Sequence, residues 1–420
     1  MRLSITFAII LSLMVVLSWA APTTQPRARV KRGAKGFVRI PIKHKFGEGM
    51  DNTVVVNKAK NYNSSEGLQV EQNAVAPATL KNHISYYSAE ITVGTPGQTF
   101  HVNVDTGSSD LWVLDSSTGE DQSFDSSKSS SYNYKSGDFK IGYLQGSAEG
   151  DWITENVGIA GTTIKDQQMG LVKKQGAGKG ILGVGLKGLE SAKTKYPNVP
   201  QSLADQGDIM QNAYSLFLDD VEASSGSILF GAVQPSKWKG TLWTIPIKGE
   251  NTISVEVNSI EIDGEEVYKG SFDTLLDSGT SLTYLEDGIV EQIAKKFNAK
   301  YSNEHKAYFT DERKDDDSVT YEFSGAKITV PSTEVLIDGK TYGGSNAPGK
   351  YMLTIVPYSQ SSKYTILGDT FLRATYAVFD LDNKEVSLAQ SSFDSSNGCV
   401  QVINGKVPGA IKAPNYHKGN

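Results

Sequence analysis

Apolar residues along this chain fall into short runs separated by turn residues, with few long helical stripes. Residues 86–93 alternate apolar and polar positions, as a strand with one buried face does. Gly94-Thr95-Pro96-Gly97 then marks a turn. Residues 100–104 and 111–114 are further strands. Residues 139–143 and 148–157 bracket Leu144-Gln145-Gly146-Ser147 as a hairpin, and 255–262 and 265–268 bracket Asp263-Gly264 as another. Short apolar runs at Ile181-Leu182-Gly183 and Ile366-Leu367-Gly368 mirror one another. Residues 375–379 and 385–389 close the body as strands. Two helices are expected, at 201–208 and at 287–297. In the second, Ile289, Val290, Ile293, Ala294 and Phe297 share one face. Residues 115–131 and the charged run 311–318 are expected as solvated loops. The pattern predicts a mainly β protein with a few short helices.

The first eighty residues follow other rules. Arg2, the apolar stretch 3–17 and Ser18-Trp19-Ala20 form a secretory signal, 1–20, whose apolar core is short for a membrane span. The polar end of the chain gives no lipid-anchor signal. Lys31-Arg32 is a dibasic processing site, and residues 37–43 alternate apolar and basic positions as an edge strand would. Asn63-Ser64-Ser65 is a glycosylation sequon. The Pro-containing joint at 74–80 is the expected start of the mature chain, and 391–420 is expected as a loose tail.

Charge changes this picture. The 420 residues carry a net charge of −6, which argues against nucleic acid as a partner. Residues 21–77 nevertheless carry +6, and the body that follows is strongly acidic. A single cysteine, Cys399, excludes an internal disulfide, so an exported chain of this kind must rest on a large core.

The candidate chemistry lies in a repeated device. The strand ending at Val104 runs into Asp105-Thr106-Gly107-Ser108-Ser109, and the strand ending at Leu276 runs into Asp277-Ser278-Gly279-Thr280-Ser281. A carboxylate at the end of a buried strand is costly unless its lone pairs are filled. The glycine allows a sharp turn and close backbone approach, and the small hydroxyls can donate. Each Asp loop is followed by its Ile-Leu-Gly. Two similar units in the same order imply two β lobes related by a pseudo-two-fold axis, with both carboxylates at a cleft between them.

Competing motifs fail. Gly183-Val184-Gly185-Leu186-Lys187-Gly188 matches a dinucleotide glycine pattern but lies in a turn-rich β region, without a strand–helix–strand unit. Gly178-Lys179 is followed by Gly180, so it is no phosphate loop. The five histidines show no metal-ligand spacing, and no serine has a credible histidine partner. No cofactor and no metal are expected. A two-carboxylate glycosidase would need neither the hydroxyl–glycine shell nor the doubled loop.

The chain resembles the pepsin-type aspartic proteases, and most of all the secreted yeast enzymes of candidapepsin type. The resemblance runs from about residue 37 to 390. It rests on Asp105-Thr106-Gly107-Ser108-Ser109-Asp110-Leu111-Trp112-Val113, Phe124-Asp125-Ser126-Ser127, Ile141-Gly142-Tyr143, Gly180-Ile181-Leu182-Gly183, Asp277-Ser278-Gly279-Thr280-Ser281 and Ile366-Leu367-Gly368-Asp369. It implies a bilobal all-β fold and an endopeptidase in which Asp105 and Asp277 activate a water. It implies that Ser108 and Thr280 bond the outer carboxylate oxygens. Thr106 and Ser278 would brace the loops across the lobes, and Gly107 and Gly279 would supply backbone donors. The hairpin with Tyr143, Gly146 and Ser147 corresponds to the substrate-covering flap, which departs from the family pattern at Leu144 and Gln145. Trp112 and Ile181 would line or back the cleft. The implied organisation is a signal peptide (1–20), a basic activation segment (21–76), an N-terminal lobe (77–245), a C-terminal lobe (246–390) and the tail. The implied protein is a secreted monomer, made as a precursor and active in acid. Its implied partners are protein and peptide substrates, pepstatin-type inhibitors and its own leader, in which Lys43 and Lys45 are candidates to sit near the aspartates. The alternative is a pepsin-fold binding protein that has lost activity.

Overall fold

The computed structural model describes residues 36–46, 85–143, 146–176, 178, 180–220, 223, 225–361, 364–393 and 398–417. The signal sequence, the dibasic site, the sequon, the joint at 74–80 and the flap residues Leu144 and Gln145 lie outside the described residues.

The same three-strand unit occurs twice. In the first half, Phe100, Val102 and Val104 are buried along strand Gln98–Asp105. That strand pairs antiparallel with Ser85–Val93 across the predicted turn. It also pairs in parallel with Gly180–Gly183, which sets Asp105 opposite Gly183. Gly180–Gly183 pairs antiparallel on its other side with Leu111–Asp115. In the second half, strand Glu265–Leu276 pairs in parallel with Ile366–Leu367, which pairs antiparallel with Thr283–Leu285. In both halves the apolar Ile-Leu pair therefore lies between the strand that enters the Asp loop and the strand that leaves it. The wholly buried Ile181, Leu182, Ile366 and Leu367 suit that central place.

The first unit belongs to a 15-stranded sheet and the second to a seven-stranded one. The larger sheet crosses between the halves, because Ala213–Phe217 pairs antiparallel with Thr375–Asp380. All five residues of the first of these strands and all six of the second are buried. An apolar core runs continuously from Ile40 and Val104 in one half to Leu276 and Val386 in the other.

The two expected helices form with small shifts, and among the described residues three shorter ones, Ser332–Val335, Gly339–Gly343 and Asp369–Leu372, were not expected. The first of the expected two is Val199–Asp205. It begins early because the Asn198 side chain caps it and Pro200 fits its first turn, and Gly207, at φ 81°, turns the chain just after it. The second, Asp287–Lys296, buries Ile289, Val290, Ile293 and Ala294 and ends on Lys295 and Lys296. The hairpin is longer than expected, with strands Asn133–Tyr143 and Gly146–Ile159. Its first six residues, 133–138, are exposed on both faces apart from half-buried Ser136, so no alternation marks them.

Two expectations are corrected. Residues 37–43 were expected as an edge strand. Strand Val38–Phe46 instead lies inside the large sheet, between Ser225–Phe230 and Ser85–Val93. Alternation reports which face is buried and carries no information about how many edges are paired. Residues 391–420 were expected as a loose tail. Gln401–Val402 pairs with Ala232–Val233, Ala410–Lys412 pairs in parallel with Trp238–Pro246, and Ile403 and Ala413 are buried. Two- and three-residue strands are too short to show a period. Cys399 is exposed and free.

The interior strand yields a test. Ile40 is 1% exposed and packs in the main core. Ile40→Ala should lower the unfolding free energy of the full chain by about 2–4 kcal/mol, read from denaturant melts. A change below about 0.5 kcal/mol would show that this strand is not part of the folded sheet.

Candidate active site

Asp105 and Asp277 are both wholly buried at the ends of their strands. Each loop fills its own carboxylate. The Gly107 N–H donates to Asp105 Oδ1 at 2.7 Å, and Ser108 Oγ donates to Asp105 Oδ2. In the other half, the Gly279 N–H donates to Asp277 Oδ1 at 3.0 Å and Thr280 Oγ1 donates to Oδ2 at 3.0 Å. The donor sets are the same in kind and in order.

The loops are tied to each other reciprocally. Thr106 Oγ1 donates to the Leu276 carbonyl at 2.8 Å and accepts from the Ser278 N–H at 2.9 Å. Ser278 Oγ donates to the Val104 carbonyl at 2.8 Å and accepts from the Thr106 N–H at 3.2 Å. Four buried bonds thus join two turns 172 residues apart.

The carboxylates face each other across this joint. A Cβ on Gly107 would collide with the Asp277 carboxylate, and one on Gly279 would come within 2.6 Å of Asp105 Oδ1. Glycine at these two places is therefore required by the opposite loop as well as by its own turn.

Above the pair, the hairpin carries Tyr143, whose hydroxyl accepts from Trp112 Nε1 at 2.7 Å. Burial holds the Tyr143 phenol well above its usual range; the Trp112 bond opposes this, and the charge of Asp105 reinforces it. Trp112 and Ile181 are wholly buried in the apolar cluster behind Tyr143, so they back this region. Gly146 and Ser147 are exposed on the hairpin's returning strand.

Two buried polar networks flank the aspartates and were not assigned from the sequence. Asp110 accepts from Tyr196 Oη and from the Ser191 N–H, both at 2.7 Å. Beside it, Glu190 accepts from the Tyr196 N–H at 2.7 Å; burial pushes its carboxyl up to about 8, partly offset by that bond. On the other side, Arg373 and Glu334 form an ion pair with N–O distances of 2.6 Å and side chains only 3% exposed. Asp369 lies near them. Burial pushes its carboxyl well up, Arg373 opposes this, and the charges of Asp277 and Glu334 add to it. Asp369 was visible as the residue after Ile366-Leu367-Gly368. Its neighbour Glu334 had no signal, because that proximity depends on a helix 35 residues earlier in the chain.

Among the described residues, no group of three or more His, Cys, Asp or Glu side chains could hold a metal ion. Among them, too, no helix is long and apolar enough to cross a membrane.

The reciprocal joint can be tested by stability. Thr106→Val and Ser278→Ala should each cost about 1–3 kcal/mol of unfolding free energy. The double variant should cost clearly less than their sum, because both break the same joint. Additive losses would place these hydroxyls in separate environments.

The eukaryotic aspartyl protease model matches residues 86–391. The acid protease of Saccharomycopsis fibuligera is 35% identical over 403 residues, spanning 92% of this chain and 99% of that protein. Secreted aspartic protease 3 of Candida albicans is 36% identical over 407 residues, spanning 91% and 96%. The crystal structure of the aspartic proteinase from Irpex lacteus superposes with a TM-score of 0.64 at 25% identity, covering 75% of this chain and 96% of that one. This chain belongs to the eukaryotic aspartyl protease family and is a hydrolase of the aspartic endopeptidase class.

Proposed function

We propose that Asp105 and Asp277 together form the catalytic pair of this endopeptidase. The observation that supports this is their mutual placement, each carboxylate set against the glycine of the opposite loop. Two carboxylates this close cannot both ionise cheaply, so the pair carries one proton between them, a behaviour for which the aspartic-protease dyad is itself the standard example. The ionised member takes a proton from a water held between the carboxyl groups. The resulting hydroxide adds to the peptide carbonyl carbon, while the protonated member donates to the carbonyl oxygen. The tetrahedral species then collapses, and the departing amine leaves with a proton from the pair. Gly107, Ser108, Gly279 and Thr280 keep both carboxylates oriented, and Thr106 and Ser278 keep the two loops in register. Tyr143, Gly146 and Ser147 close over an extended peptide, with Trp112 and Ile181 behind them. A pepstatin-type inhibitor would occupy the same groove.

Asp105→Asn and Asp277→Asn should each reduce cleavage of a peptide substrate by at least roughly a thousandfold with the melting transition intact. Normal turnover in either pure variant would remove that aspartate from the mechanism.

Residues 1–20 would direct export and 21–76 would be a removable leader, ahead of lobes at 77–245 and 246–390, giving a secreted enzyme active in acid. Lys43 is exposed at a cavity it shares with Glu90 and His101. The side chain of Lys45 lies outside what is described. A more specific acid sensor is His44, on the inserted strand. It is 8% exposed and stacks on Tyr87 at 4.8 Å, with Nδ1 3.2 Å from the Ala223 carbonyl. The charged groups beyond Tyr87 are Arg373, Asp369 and Glu334. Burial first, and Arg373 second, lower the imidazole from 6.5 to about 4.

The inserted strand holds a neutral His44, whereas a released strand takes up a proton below 6.5. Insertion is therefore undiminished above pH 6.5 and weakens as the pH falls towards about 4. The full difference is about 3 kcal/mol. His44→Phe keeps the ring stack and removes the titration. Self-processing of this variant, followed by mass spectrometry across a pH series, should require more acid than in the unaltered precursor. An unchanged pH profile would mean that His44 does not sense acid.

A further inference from the structure

A cavity of about 370 Å³ opens beside the aspartates. One wall is the hairpin at Lys140–Tyr143 and the opposite wall is the turn 189–195. Ser108, the residue that bonds Asp105, lies on its lining. The cavity therefore adjoins the loop that holds Asp105.

The chemistry of the lining is unusual in two respects. Three lysines share it, Lys140, Lys193 and Lys195. Lys140 pairs with Glu149 and Lys193 with Asp138, at 2.6 and 2.9 Å, but neither acid lines the cavity and all four side chains are at least 42% exposed. Exposed pairs of this kind are worth about 0–1 kcal/mol, so their ammonium groups can turn to a new partner. Lys195 Nζ donates to the Glu190 carbonyl. The second feature is Glu190 itself, which lines the cavity while only 2% exposed. Its Oε2 accepts from the Tyr196 N–H, and its Oε1 is buried without a hydrogen-bond partner. A buried carboxyl with one empty oxygen carries a proton there in preference to a charge. The raised affinity of this group for a proton agrees. The lining then presents a protonated carboxyl, three cations and the hydroxyl residues Ser108, Tyr143 and Ser191, and no anion.

We propose that this cavity is a specificity subsite for an acidic substrate side chain next to the cleaved bond, with Lys193 and Lys195 facing its carboxylate and the Glu190 carboxyl donating to it. The inference rests on the endopeptidase reading and adds a substrate preference to it. A basic side chain is disfavoured at the same position because it would meet three like charges.

The test uses the mature enzyme and a set of peptides sharing one cleavable sequence. Glu, Gln, Ala or Lys is placed in turn at each of the three positions on either side of the bond, and kcat/KM is measured at pH 5. At one position close to the bond, Glu should be preferred over Lys by tenfold or more, mainly through KM. Lys193→Glu should erase or reverse that preference at that position alone, and Glu190→Leu should weaken it while Glu190→Gln retains it. Lys239→Glu, the same charge change on an exposed strand elsewhere, should leave the preference in place. Equal rates for Glu and Lys at every position, or a preference indifferent to Lys193→Glu, would overturn the subsite. Failure of the unaltered enzyme to cut any peptide in the set would instead overturn the endopeptidase reading on which the subsite depends. Those two failures are distinguished by the Ala peptides, which need no acidic side chain to be cut.

Discussion

Two carboxylates buried at the ends of their strands are the constraint on which this structure depends. An unpaired buried carboxylate costs several kcal/mol, so each must be met by donors fixed in advance. Here the donors come from the turn that follows each Asp, one backbone N–H and one hydroxyl apiece. A turn tight enough to do that cannot hold its own position. It is anchored by the opposite turn, through hydroxyls that each donate to one carbonyl and accept from one N–H. Duplicated strands, a sheet that crosses between the halves and a groove at the joint are the scaffold that brings two such turns together.

The same logic extends outward. Arg373 and Glu334 are buried as a pair because neither could be buried alone. Their surroundings include Asp369 near Asp277 and Tyr87 beneath His44. The Arg373–Glu334 pair therefore lies between the surroundings of the second Asp loop and those of a strand from the first fifty residues. On the other flank, Asp110, Tyr196 and Glu190 link the first loop to the wall of the lysine-rimmed cavity.

What could be read from the sequence was what is local. The Asp loops, their hydroxyls and the two Ile-Leu-Gly runs are legible because each acts within a few residues of itself. The helix at Asp287–Lys296 shows its period for the same reason. Strand Val38–Phe46 was recognised as a strand but misplaced to an edge, since its two neighbours begin nearly 40 and 180 residues later. The tail was misjudged because its strands are two and three residues long. Tyr196 beside Asp110 and Glu334 beside Arg373 carried no signal, because each pairing joins residues that only the finished fold brings together.

In the mechanism proposed here, the interlocked loops make one proton-sharing carboxylate pair. The pH dependence of kcat/KM for the mature enzyme, on a single peptide lacking titratable side chains, tests it most directly. A shared-proton pair gives a bell with two limbs, activity rising as the pair loses its first proton and falling as it loses its second. A profile with one limb, or a plateau from acid through neutral pH, would contradict it.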